Sequence, residues 1–151
     1  MKISIGSDHA GYEVKDVIKR DLIETGYEVS DVGTFGKEPV DYPDIAYKVA
    51  SKVRDKEADL GILICGTGIG MSIAANKVKR VRAALCHNEM TAEFSRQHND
   101  ANVLAVGARV LTCDEIKKVV DVWLKAEFLG DRHKRRVDKI EEIEECTSCR
   151  N

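Results

Sequence analysis

The sequence is poor in the features that mark several large classes of protein. It contains only two prolines and no low-complexity stretch, so no proline-rich linker is predicted. No run of about 18 apolar residues occurs, which excludes an obvious membrane-spanning helix. The formal charge is only −2. A surface of such low net charge does not favour nucleic acid or an anionic membrane as a partner.

Cysteine is present, but not in the pattern of a disulfide scaffold. The five cysteines are odd in number and scattered: Cys65, Cys86, Cys113, Cys146 and Cys149. This usage fits a reducing compartment, and the amino terminus is too polar after its first five residues for a signal peptide. We therefore expect a cytoplasmic protein. At 151 residues and 43% hydrophobic, the chain is expected to form one domain over 1–151.

Short β-type runs alternate with helical patterns along the chain. Strands are predicted at 2–6, 27–32, 60–65, 81–86 and 102–106. Helical spacing is found over 14–22 and 45–53, and the regions near 72–76, 90–94, 112–128 and 131–145 also favour helices. Gly26 and Gly130 are expected to end helices, Thr112 and Glu115 to form a capping box, and 33–43 to be a loop. This alternation of strands and helices predicts an α/β fold that is doubly wound and Rossmann-like. It would be a three-layer αβα sandwich with about five parallel strands and a C-terminal helix.

The stretch LGILICGTGIGM at 60–71 is the centre of this pattern. Its apolar half is typical of a strand buried on both faces, and it places a thiol, Cys65, at the carboxyl end of that strand. A loop with Gly66, Gly68 and Gly70 follows, and such loops bind anions through backbone N–H groups. Those groups also favour a thiolate, so Cys65 is a candidate base or nucleophile. From its position alone, a small buried apolar cysteine is an equally good interpretation.

Known phosphate-binding loops fit this stretch poorly. It lacks the lysine and the spacing of a Walker loop and only approximates the dinucleotide fingerprint. A cysteine phosphatase would need an arginine where Met71 stands. Asp8 and His9 follow the first strand, so we expect them to line one crevice with the Cys65 loop at the carboxyl edge of the sheet. His98 and Asn99 lie in a polar turn and are assigned to the same crevice, although a lone loop histidine is more often merely solvated.

A basic cluster follows Gly130. Arg132 and Arg136 are four residues apart and therefore share one helix face. Guanidinium groups match phosphate oxygens, so this face is a candidate phosphate clamp, whereas the simpler interpretation is a solvated charged surface. The spacing of Cys146 and Cys149 resembles that of metal ligands, but a single pair is a weak indication of zinc. The simpler interpretation is that the two thiols belong to a charged tail and have no role.

Several of these segments together resemble a known family. SDHAG at 7–11, DYPD at 41–44, ICGTGIGMSIAANK at 64–77, SRQHNDANVLA at 95–105 and GDRHKRRV at 130–137 are similar to motifs of the type B ribose-5-phosphate isomerases. These belong to a wider family of sugar-phosphate isomerases that includes the galactose-6-phosphate isomerase subunits. The similarity covers almost the whole chain, in the same order and spacing.

The resemblance implies reversible conversion of D-ribose 5-phosphate to D-ribulose 5-phosphate without a metal or organic cofactor. It implies a homodimer, with a tetramer left open, whose active sites lie at the subunit interface where the C-terminal helix docks. Cys65 would be the base that forms a cis-enediolate, with Thr67 and the loop amides stabilising it. His98, reaching the site from the neighbouring subunit, would open the sugar ring with Asp8 assisting. The implied substrate-binding residues are His9, Tyr42, Gly66, Gly68, Ile69, Gly70, Asn99, Arg109, Arg132 and Arg136.

Some family members use a glutamate as the base where this chain has Met71, which places this chain in the cysteine-base branch.

The resemblance leaves two alternatives for the function. A six-carbon substrate such as allose or galactose 6-phosphate is the main alternative, and a non-catalytic sugar-phosphate sensor is a weaker one.

Overall fold

The computed structural model describes residues 1–148 of the chain. Within them it contains five strands and six helices that alternate as the sequence predicts. In chain order these are β1 (Lys2–Ser7), α1 (Tyr12–Glu24), β2 (Glu28–Asp31), α2 (Tyr42–Arg54), β3 (Leu60–Cys65), α3 (Ile69–Ala75), β4 (Ala83–Leu85), α4 (Glu89–Asn99), β5 (Val103–Gly107), α5 (Cys113–Lys125) and α6 (Asp131–Ser148).

All five strands are parallel and form one sheet in the order β2-β1-β3-β5-β4. One face packs against α1, α4 and α5, and the other packs against α2 and α3. The predicted doubly wound three-layer αβα fold is therefore confirmed. The sequence did not indicate that β5 lies between β3 and β4, which leaves the short strand β4 at an edge.

β3 lies at the centre of the sheet, and all six of its residues are buried. Leu60, Ile62 and Ile64 pack into the core under α1, α4 and α5, whereas Leu63 and Cys65 pack into the core under α2 and α3. This alternation follows from the two-residue period of a strand. Because helices cover both faces of the sheet, the sequence of this strand is one continuous apolar run. The same packing holds the end of the strand at Cys65 rigidly.

Several predicted boundaries are wrong. The loop after β2 ends at residue 41, because Pro43 lies in the first turn of α2, where its fixed φ and missing N–H are tolerated. α3 begins at Ile69, directly after Gly68, and not near Ser72. α5 ends at Lys125, so Phe128 lies beyond the helix and Gly130 precedes α6 with a φ of +67°. The capping box of Thr112 and Glu115 is confirmed, and Gly26 follows the end of α1 with a φ of +95°.

Two surface features bear on function. Met90 and Phe94 of α4 are exposed, and the buried residues of that helix are Ala92 and Ser95. α6 carries exposed Ile140 and Ile143.

In residues 1–148, the part of the chain that the structure describes, no helix is both long enough and apolar enough to cross a bilayer.

Candidate active site

The Cys65 thiol is held at the carboxyl end of β3. The residue is 4% exposed, and its side chain packs into the core beneath α2 and α3. The N–H of Gly68 donates to the Cys65 Sγ at 3.1 Å. This contact places a hydrogen-bond donor against the atom that carries negative charge once a thiol has lost its proton. Cys65 is thus buried, but its sulfur makes a polar contact that a cysteine used only for apolar packing would not need.

The loop after Cys65 has a conformation that requires glycine at Gly68. Its φ is +79°, and a Cβ at this position would lie 2.5 Å from a methyl carbon of Leu85 and 3.0 Å from the backbone of Val106. Only glycine combines a positive φ with such a close approach at no steric cost. The left-handed turn at this residue brings its N–H back towards the sulfur.

The same loop is fixed to the segment that follows β5. Ala108 N–H donates to the Cys65 carbonyl at 2.8 Å, and Arg109 N–H donates to the Gly66 carbonyl at 2.9 Å. A Cβ on Gly107 would lie 2.7 Å from the backbone of Thr67, so the two segments touch directly. Thr67 is exposed and its Oγ1 accepts from the N–H of Ile69 at 3.3 Å. Two neighbouring strand ends therefore hold the loop in place.

Asp8 and His9 lie beside this loop, as the sequence predicts. β1 pairs with β3, and Asp8 N–H donates to the Ile64 carbonyl at 3.2 Å. The Asp8 Oδ1 accepts from the N–H groups of Ala10 and Gly11 at 2.9 and 3.1 Å, which fixes the carboxylate at the start of α1. The Nδ1 of His9 is buried, and within residues 1–148 it has no hydrogen-bond partner. A buried polar atom in this state is suited to a ligand.

Tyr42 and Arg109 frame the loop from two sides. The Tyr42 ring packs on Gly70, where an added Cβ would lie 2.6 Å from the ring carbons. The Arg109 side chain lies along Gly66, where an added Cβ would lie 3.4 Å from its Cδ. Both residues are exposed. They could therefore limit the size of a ligand that contacts the Cys65 sulfur.

His98 and Asn99 do not join this group within one chain. They form the last residues of α4, which runs antiparallel to the strands and ends just before β5 begins. Arg82, which precedes β4, donates from Nε to the Asn99 carbonyl at 3.2 Å, so this end of α4 lies at the amino edge of the sheet. The strand β3 is six residues long, which separates the two edges by roughly 20 Å. The expectation of one crevice inside a single chain is therefore wrong for these two residues.

A second group of polar side chains forms at the amino edge. The His98 ring stacks on the ring of His133 in α6, with centroids 4.3 Å apart and planes 3° apart. Arg132 and Arg136, on the same helix, are exposed. The cationic groups that the sequence assigns to phosphate binding thus accompany His98, and all of them lie at the edge of the sheet remote from Cys65.

Sequence reasoning missed the special position of His133. Its neighbours Arg132, Lys134, Arg135 and Arg136 are exposed, whereas His133 is only 7% exposed. The signal that could have revealed it is its spacing of four from Val137, the other buried residue between 131 and 146. Burial lowers the pKa of His133, and the nearby His98, Arg132 and Arg136 lower it further.

None of the other cysteines within residues 1–148 contributes to either group. Cys86 is buried, Cys113 is partly buried and Cys146 is exposed, while Cys149 lies outside the described residues. Within residues 1–148, no group of three or more His, Cys, Asp or Glu side chains is arranged to hold a metal ion.

Together the fold and these two groups define a doubly wound α/β protein with a thiol and a glycine-rich loop at one edge and a cationic, histidine-bearing cluster at the other. The model of the ribose/galactose isomerase family matches residues 3–140. The chain belongs to this family.

Individual relatives agree over nearly the full length. Ribose-5-phosphate isomerase B of Escherichia coli is 50% identical over 144 residues, which cover 95% of this chain and 97% of that protein. The structure of ribose-5-phosphate isomerase B from Clostridium thermocellum superposes with a TM-score of 0.96 at 58% identity, covering 97% of this chain and 99% of the other. The enzyme of the same name from Mycoplasma genitalium, solved with bound ribulose 5-phosphate, gives a TM-score of 0.91 at 49% identity, covering 95% and 96% of the two chains.

Proposed function

We propose that this chain is an aldose-ketose isomerase that interconverts D-ribose 5-phosphate and D-ribulose 5-phosphate. The observation that carries the proposal is the Cys65 thiol with the Gly68 N–H on its sulfur, beside a loop of backbone amides. An isomerase of this kind needs a base and, next to it, donors for an oxyanion. The named activity of relatives that are about half identical over the whole chain supports the same substrate.

The proton transfer uses the carboxyl edge of the sheet. The Cys65 thiolate takes the proton from C2 of the open-chain aldose, and the electron pair forms the C1–C2 double bond while O1 becomes anionic. The proton on O2 then moves to O1, and the thiol returns its proton to C1, which leaves a carbonyl at C2. Because the Gly68 N–H faces the sulfur, we assign the enediolate oxygen to the other loop amides between Gly66 and Gly70 and to the Thr67 hydroxyl.

Ring opening and phosphate binding use the amino edge. His98 is assigned the proton transfer to the ring oxygen, Asn99 a contact to the sugar, and Arg132 and Arg136 the phosphate. His9, with its unpartnered buried Nδ1, and the exposed Arg109 and Tyr42 are assigned to the substrate from the carboxyl edge. We assign Asp8 to assist ring opening, and its fixed carboxylate suits it to accept a proton.

These assignments require two chains in each active site. One chain holds Cys65 and His98 at opposite edges, roughly 20 Å apart by the length of β3, so a five-carbon substrate cannot contact both. In a two-fold dimer, the carboxyl edge of one chain meets the amino edge of its partner, and the symmetry generates two equal sites. Exposed apolar side chains on α6, Ile140 and Ile143, line a groove of about 790 Å³ beside β4 and offer a surface for such pairing.

Three further assignments complete the proposal. We propose that residues 1–151 form one isomerase domain, that the protein is cytoplasmic, in line with its scattered cysteines, and that dimers are the smallest active unit whether or not they pair into tetramers. A galactose-6-phosphate isomerase would need two different subunits, one of which lacks catalytic groups. This chain carries the whole set, which favours a self-sufficient homodimer.

A substrate panel tests the proposed activity. The purified chain should convert ribose 5-phosphate to ribulose 5-phosphate in the presence of EDTA, with a higher kcat/KM than for allose 6-phosphate or galactose 6-phosphate. A higher kcat/KM for a six-carbon phosphate would reassign the substrate. Binding of ribose 5-phosphate without exchange of its C2 proton with solvent would instead identify a sensor.

A further inference from the structure

His133 is a buried polar residue in the first turn of α6, and it is neither a catalytic nor a substrate-binding candidate. It is 7% exposed among arginine and lysine side chains that face solvent. A histidine that only added positive charge for a phosphate would be expected at the surface with them. Its ring instead lies flat against the ring of His98.

The His98 imidazole is enclosed between two rings. Phe94 stacks on it with centroids 4.7 Å apart and planes 18° apart, and His133 stacks on it at 4.3 Å and 3°. Two nearly parallel rings at these distances would overlap if they shared one face of His98, so they cover opposite faces. The plane of the imidazole is thereby fixed, and only its edge, which carries both nitrogens, is available for proton transfer.

His133 is suited to be the neutral member of this stack. Arg132 Nε approaches its Nε2 at 3.4 Å and points a donor at it, which requires Nε2 to be unprotonated. Burial, His98, Arg132 and Arg136 all lower the pKa of His133, and only Asp131 acts in the opposite direction. A second imidazolium only 4.3 Å away would repel a protonated His98, and a neutral His133 avoids that repulsion.

We propose that His133 is a positioning residue for His98, which together with Phe94 holds the His98 imidazole edge-on to the substrate ring. The proposal rests on the proposed function, because it assigns His98 to ring opening. In that step the C1–O4 bond breaks, O4 takes a proton from His98, and the C1 hydroxyl gives its proton to Asp8 of the other chain while the C1 carbonyl forms. His133 touches none of these atoms and acts only through the orientation of His98.

The two directions of the reaction separate this role from general damage. Ribose 5-phosphate is mostly a closed ring and needs His98 before Cys65 can act. Ribulose 5-phosphate carries its phosphate on O5, so it cannot close a five-membered ring and enters as an open chain. Exchange of its C1 protons with D₂O therefore requires the Cys65 half of the site but no ring opening.

The test compares His133→Ala and His133→Phe with Arg135→Ala, a matched control that removes an exposed basic residue of the same helix. The alanine variant should lower kcat for ribose 5-phosphate about 10- to 100-fold, the cost of a misplaced reacting group. Its C1 exchange in ribulose 5-phosphate should stay within about twofold of wild type. The phenylalanine variant keeps a flat ring and should restore most of kcat, and Arg135→Ala should match wild type.

Several results would overturn the proposal. Equal losses of turnover and exchange, or a rise in KM for both sugars with kcat unchanged, would make His133 a structural or phosphate-binding residue. If His133→Ala does not fold, Phe94→Ala removes the opposite ring from an exposed position and should show the same selective loss. Unchanged turnover in that variant would also refute the stack. Absence of both reactions in wild type would refute the proposed function and, with it, the role proposed for His133.

Discussion

The two edges of the sheet are built in different ways. At the carboxyl edge, Cys65, Gly68 and Asp8 are fixed by backbone hydrogen bonds between neighbouring strand ends and by a glycine that no other residue can replace without strain. At the amino edge, His98 and Arg132 are side chains at the ends of two helices, held by ring stacking and by helix packing. The carboxyl edge is held by the backbone of one chain, whereas the amino edge depends on packing between helix side chains.

This difference matches the two proposed tasks. Stabilising an enediolate needs donors whose positions do not change during the reaction, and backbone amides at strand ends meet that need. Opening a ring and holding a phosphate need charged and titratable groups, which the backbone cannot supply. The division also implies that neither edge is active alone, so the assembly of two chains is part of the proposed mechanism.

Subunit mixing gives the largest expected effect and tests the division directly. Cys65→Ala should lower turnover of ribose 5-phosphate at least about 10³-fold and His98→Ala about 10²-fold, since general bases and acids contribute about 10² to 10⁴. When the two variants are mixed and allowed to exchange subunits, half of the dimers are mixed. Each mixed dimer has one site with both residues intact, so activity should return to about a quarter of wild type for a two-fold dimer.

The matched control mixes two variants of the same edge. Cys65→Ala and Asp8→Asn both damage the carboxyl edge, and the asparagine keeps the Oδ1 that accepts from Ala10 and Gly11. No arrangement of these chains restores an intact site, so activity should stay low. Recovery in this control, or none in the first mixture, would contradict a site shared between the two edges.

How much of this was accessible from sequence depends on the kind of contact. The β3 thiol, its glycine loop and the adjacent Asp8 follow from local pattern and from the rule that parallel strands end at one edge. The place of His98 follows from the same rule, although the expectation of one crevice ignored it, because residues 95–100 directly precede the strand predicted at 102–106 and parallel strands also begin at one common edge. The strand order and the burial of His133 depend on packing between elements remote in the chain, which no local pattern encodes.

The carboxyl edge also contains a buried ion pair, whose loss should have an intermediate effect. The Lys15 Nζ contacts both oxygens of Asp31 at 2.8 Å with its side chain fully buried, and Asp31 in turn accepts from the N–H of Gly33. Gly33 and Thr34 hydrogen-bond to Ser7, beside Asp8. Lys15→Met should lower the free energy of unfolding by about 3 kcal/mol. This value is at the lower end of the range for breaking a buried ion pair, because Lys19 still contacts Asp31.

Lys19→Met is the matched control, because its side chain is partly exposed and its loss should cost about 1 kcal/mol or less.

Burial raises the pKa of Asp31, but the hydrogen bonds from Lys15, Lys19 and Gly33 outweigh it, so the pKa is lowered. A lowered carboxylate pKa stabilises the fold above about pH 4, and this contribution is lost as the pH falls further. Chemical denaturation at pH 7 and pH 3 should therefore show a smaller difference between Lys15→Met and wild type in acid. Equal losses for the two lysine variants at pH 7 would contradict a special role for the buried pair.

The smallest expected effect concerns the amino edge and the pH dependence of stability. The pKa of His133 is lowered by burial and by its cationic neighbours, so the unfolded chain binds a proton there more readily than the folded chain. The neutral His133 side chain therefore contributes to stability above about pH 6.5, the pKa of histidine in the unfolded chain, and this contribution is lost as the pH falls below that value. His133→Phe retains the stacked ring without the titration, so its thermal midpoint should fall less between pH 7.5 and about pH 5.5 than that of wild type. Parallel pH profiles for the two proteins would show that the His98–His133 stack tolerates a second charge, and the amino edge would then be less constrained than its geometry indicates.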